Sequence, residues 1–114
     1  MSLTEILTRK DADPAVQLEE VSEVVAVARK AYGNEDAVIE SPMCNTTEGT
    51  MSFVHLEPAG KIALLRKQVG LIKATAVEFC ETNPGSSMDK KIEELLALNA
   101  YFANAGAGTK FKYI

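Results

Sequence analysis

The sequence predicts a mostly α fold bordering on α+β, with a three-helix core, an antiparallel helical hairpin over 58–83 and 86–104, and a small β element. Three observations carry that prediction. Between Pro58 and Asn83 apolar residues recur at alternating steps of three and four, Ile62, Leu65, Val69, Ile72, Ala76 and Phe79, which is a heptad seam. After Asn83-Pro84-Gly85 the same habit returns with Ile92, Leu95, Asn99 and Phe102, and so short a connection forces antiparallel neighbours. Between Asn34 and Glu57 the helical period disappears and short extended runs replace it.

Taken in order, Ser2 followed by Glu5 has capping-box spacing, and Leu3, Ile6 and Leu7 then give a short helix one apolar edge. Residues 1–12 are expected to form an N-terminal arm, with a charged connector from Arg9 to Asp13. Asp13-Pro14 is a strong helix start, because the carboxylate caps and the proline ring presets the first helical φ. The helix expected over Pro14–Tyr32 buries Leu18, Val21, Val25, Ala28 and Tyr32, and Gly33 closes it with a left-handed cap. Its acids Glu19, Glu20 and Glu23 come early and Arg29 and Lys30 late, the order that suits the helix dipole.

Ala37–Ser41 and Thr50–Leu56 are the expected strands of a β element around 37–56. Pro58 restarts the helix at a first-turn position, and Ser86 with Asp89 three residues on is the expected cap of the last one, which runs to about Ala103 or Asn104. Asn99 then occupies a core-type position, either fixing register as a buried amide or turning to solvent. The tail 105–114 alternates Lys110, Phe111, Lys112 and Tyr113, so a strand over 109–114 is expected to dock near residue 53.

A chain of 114 residues fits one domain, here 1–114, and is long enough for a core without metal or disulfides. Twelve Lys and Arg against sixteen Asp and Glu give a net charge of −4, which mildly repels phosphate backbones and anionic lipid and makes a nucleic-acid partner unlikely. No apolar run reaches the ~18 residues of a membrane span, and an acid sits where a signal peptide carries cations, so a cytoplasmic protein or a particle assembled there is expected. Cys44 and Cys80 are too few for a disulfide framework. Cys80 beside Phe79 reads as a small core residue, and Cys44 falls in a polar loop.

No motif specifies catalysis or a cofactor. His55 is the lone histidine, without a partner set, and reads as a hydrogen-bonded structural residue. If the run is extended, Ser52 and His55 differ in strand parity and face opposite ways. Gly106-Ala107-Gly108-Thr109-Lys110 lacks phosphate-loop spacing, and Asn45-Thr46-Thr47 reads as a polar turn. Lys61, Arg66, Lys67 and Lys73 make the long helix locally basic, and the acids of the preceding helix are expected to neutralise Arg66 and Lys73.

The segment Glu19-Glu20-Val21-Ser22-Glu23 resembles the E-E-x-x-E signature of the all-α nucleotide pyrophosphohydrolases of the MazG type. That resemblance implies helical carboxylates holding magnesium at a pyrophosphate, with Glu78 and Glu81 on a neighbouring helix as further ligands. It covers five residues, and the family's second motif, E-x-x-D, is missing: no glutamate here has aspartate three positions on.

The stronger expectation is a non-enzymatic structural or assembly subunit without metal or cofactor, packing into a homo-oligomer or a larger particle such as a virion. Its interface residues are Leu64 and Leu71, a second stripe on the long helix; Gly70 and Val77, a heptad apart beside it; and Phe111 and Tyr113 of the tail. A mid-helix glycine costs ~1 kcal/mol relative to alanine, so Gly70 is expected to mark a close helix approach.

Overall fold

The computed structural model describes residues 2–36 and 40–105. Helix α1 (Leu3–Thr8) starts where Ser2 Oγ accepts from the Glu5 backbone N–H at 3.2 Å. It packs on its own chain. Leu3, Ile6 and Leu7 are all buried, packed on the helices that follow, because so short a helix has no stability of its own and must cover its apolar edge. Two later side chains satisfy its terminal carbonyls: Gln17 Nε2 donates to Ile6 O and Arg9 O, and the Arg66 guanidinium donates to Leu7 O and Arg9 O.

Helix α2 (Pro14–Ala31) begins with Asp13 accepting from the Ala15 N–H at 3.0 Å and Pro14 in the first turn. It ends as expected: Gly33 takes a φ of +73°, and the Asn34 N–H returns to Arg29 O at 2.8 Å. Leu18, Val21, Val25 and Ala28 face inward. Tyr32 is half-buried, and its hydroxyl donates to Lys90 O at 2.8 Å.

The β element differs from expectation in its register. Strands β1 (Met43–Thr46) and β2 (Gly49–Ser52) pair antiparallel, Met43 opposite Ser52 and Thr46 opposite Gly49, whereas Ser41 lies outside the ladder and 37–39 lie outside the described residues. The turn decides this. Gly49 at φ +118° supplies the positive φ, and Thr46 Oγ1 both donates to Gly49 O and accepts from the Glu48 N–H. The second run then leaves the sheet as a 3-10 turn at Phe53–His55, which carries the Phe53 ring into the core at 0% exposure. In such a turn positions three apart align, so the parity argument separating Ser52 from His55 does not apply.

Helix α3 (Pro58–Thr82) is the longest element, about 37 Å at 1.5 Å per residue. Ile62, Leu65, Ile72 and Ala76 of its seam are buried, and Val69 packs half-buried against them. Gly85 at φ +95° helps turn the chain back. Helix α4 (Met88–Leu98) starts one residue later than expected, capped by Ser87 rather than Ser86, and lies antiparallel to α3: Lys91 covers the Phe79 ring near the turn, while Leu95 and Ile72 line one groove further along. The final helix is broken. Asn99 ends α4 and caps α5 (Ala100–Ala103), its Oδ1 accepting from the N–H groups of Tyr101 and Phe102, so the amide oxygen serves as a helix cap rather than to fix register. The break aims Phe102 into the core and sets Tyr101 edge-on to Phe53 at 5.2 Å. Helices α2, α3 and α4 pack mutually as the three-helix core, with α1 and α5 closing its sides. The tail, including the strand expected over 109–114, lies outside the described residues.

Candidate interaction surface

The expected interface residues do not share one face. At 100° per residue, Leu71 and Val77 point about 120° apart around α3. Leu64 is half-buried against the chain's own core, whereas Leu71 and Val77 are 54% and 42% exposed. Gly70 is exposed, and a Cβ built there meets no atom of the described residues within 4 Å, so no approach among them explains that glycine. Phe111 and Tyr113 lie outside the described residues.

What the fold does assemble is a groove between α3 and α4. Gln68, Leu71, Ile72 and Thr75 form one wall, Leu95, Leu98 and Asn99 the other, around about 340 Å³. Leu71 is joined there by Leu98, 59% exposed, so two of the most exposed aliphatic side chains meet at one opening. Sequence periodicity missed Leu98 because the expected seam continued through Asn99 to Phe102. Within α4, Leu96 and Ala97 are the buried pair, and Leu98 on the other side of the helix faces out. The rim residues Gln68, Thr75 and Asn99 are uncharged, so the groove suits an apolar surface rather than an ion.

A second depression of about 330 Å³ lies beneath the start of α1, floored by Leu3, Val24, Val69, Ile72, Ile92 and Leu96, with Lys73, Asp89 and Glu93 at its edge. Its floor belongs largely to the main core cluster.

The groups singled out for chemistry are dispersed. Arg9 holds Glu20 in a two-pronged ion pair at 2.8 and 3.2 Å, while Glu19, Glu23, Glu78 and Glu81 are exposed. Among the described residues no group of three or more His, Cys, Asp or Glu is placed to hold a metal ion. The basic strip dissolves as well. Lys61 is buried with its ammonium 6.0 Å from the Phe53 ring, and burial holds it below its ordinary pKa; Arg66 serves the carbonyls of α1 rather than the acids of α2. His55 is exposed and forms no side-chain hydrogen bond with a described residue, contrary to expectation. The cysteines exchange roles: Cys44 is buried, and Cys80 is only half-buried. Burial, followed by the neighbouring Cys44 thiol, pushes the Tyr101 hydroxyl above its ordinary pKa.

Sequence reasoning also missed three buried polar side chains. Gln17 braces α1. Arg29 donates to Ala97 O at 3.0 Å and Asn34 O at 2.6 Å, joining the ends of α2 and α4, and burial lowers its pKa. Asn104, fully buried, donates to Glu40 O and Ala100 O. All three donate to backbone carbonyls, a structural use and not a reactive one.

No helix among the described residues is long and apolar enough to cross a membrane. Comparison with known proteins finds no match: no family model, no curated protein and no solved structure is significantly similar to this chain.

Proposed function

We propose that this protein is a non-enzymatic assembly subunit, which joins a homo-oligomer or a larger multisubunit particle through the outer face of its helical hairpin. The observation that carries the reading is the pairing of exposed Leu71 and Leu98 across one uncharged groove, supported on rigid helices. The scattered carboxylates give the pyrophosphohydrolase reading no comparable support.

The test replaces both leucines. Leu71→Asp with Leu98→Asp is expected to abolish association, read by sedimentation or by recovery of a defined partner, while helix content stays close to wild type because both side chains face water in the single chain. A wild-type chain that remains monomeric and recovers no partner, or a double variant that associates as well as wild type, overturns it.

A further inference from the structure

We infer that the partner seated on this face is a second copy of the chain, its α3 lying antiparallel to the first across Leu71. The inference rests on the interaction-subunit reading and names the occupant.

Charge is placed asymmetrically on the exposed side of α3. Lys67, Leu71 and Glu78 fall within about 40° of one another around the helix, all exposed, so the exposed leucine lies between a cation one turn before it and an anion two turns after it. Two copies of such a face behave differently according to direction. Side by side and parallel, they set Lys67 against Lys67 and Glu78 against Glu78. Antiparallel, with a two-fold axis near Ile72, Lys67 lies opposite the partner's Glu78 at both ends. The two Leu71 side chains then come within one turn of each other at the centre, beside the apolar walls formed by Leu95 and Leu98. The remaining cations of this stretch stay clear: Arg66 is held by the carbonyls of α1, and Lys73 lines the depression on the far flank with Asp89 and Glu93. Across the groove, Lys91 and Glu94 of α4 already pair with each other at 3.5 Å.

Charge exchange tests direction and partner together. Lys67→Glu and Glu78→Lys each place two like-charged pairs in the dimer and should weaken self-association about tenfold by sedimentation equilibrium. An equimolar mixture of the two variants re-forms both opposite-charge pairs, and so does the double variant Lys67→Glu/Glu78→Lys; both are expected to associate like wild type. Circular dichroism serves as the folding control, since both positions are exposed. Three results overturn the pairing: a wild type that is monomeric to ~100 µM, single variants that associate normally, or a mixture that fails to recover. If Leu71→Asp/Leu98→Asp abolishes association while charge exchange has no effect, this pairing is wrong and the interaction-subunit reading stands.

Discussion

Arg29→Met is the most informative single change in the fold. Arg29 is 4% exposed, and its guanidinium donates to Ala97 O, just before the Asn99 break, and to Asn34 O, just beyond the Gly33 cap. Methionine keeps most of the apolar stem and removes the donors. The buried carbonyl of Ala97 and the part-buried one of Asn34 each lose a bond from a charged donor, worth ~1.5–3 kcal/mol, and relief from burying a charge returns part of that, so a net loss of about 3 kcal/mol is expected. With an unfolding entropy of ~2.1 cal/mol/K per residue, a chain of 114 residues has about 0.24 kcal/mol/K at its midpoint, which converts that loss to a fall in Tm of about 12 °C. Thermal unfolding followed by circular dichroism reads it directly. Arg29→Lys should recover only part of the loss, because one ammonium does not reproduce the planar fork that reaches two diverging carbonyls. A Tm within about 4 °C of wild type for Arg29→Met would mean that burying the guanidinium costs as much as its bonds return, and that the clamp does not hold the two helix ends together.

Two further changes follow from the same geometry. Gly70→Ala adds a methyl into open space in mid-helix, so it should stabilise the monomer by ~0.5–1 kcal/mol, or a rise in Tm of about 2–4 °C; a fall would reveal a packing constraint within the chain. For Lys61, burial lowers the folded pKa below 10.5, so the folded chain binds fewer protons than the unfolded one between that lowered value and 10.5, and stability rises as pH climbs through this window. Lys61→Met should therefore have the higher Tm at pH 7, by a margin that narrows as pH approaches 10.5; equal Tm values at both pH values would refute the burial penalty.

Much of this architecture was legible in the chain. The α3 seam, the Asp13-Pro14 start and the Gly33 cap were read correctly because each depends on local chemistry: a period, a preset φ, an αL position. The errors lie where local signals compete. Thr50–Leu56 alternates like a strand along its length, yet burial of Phe53 outweighs the alternation and folds the second half into a 3-10 turn. Asn99 fits a heptad position and is also a strong cap residue; the cap prevailed, and the helix that the seam predicted to run on to Phe102 ends there. Gln17 and Arg29 carry no sequence signal that separates a surface polar residue from one reaching a carbonyl many residues away.

The residues alone settle where the main helices run and which edge of each is apolar, since spacing and end signals act over a few neighbours. They leave open which apolar edge remains uncovered. That depends on α1 folding back over the core and on which side of α4 is covered by α2 and α3, both products of contacts between distant segments. Only when those contacts form do Leu71 and Leu98 come to share an opening to water.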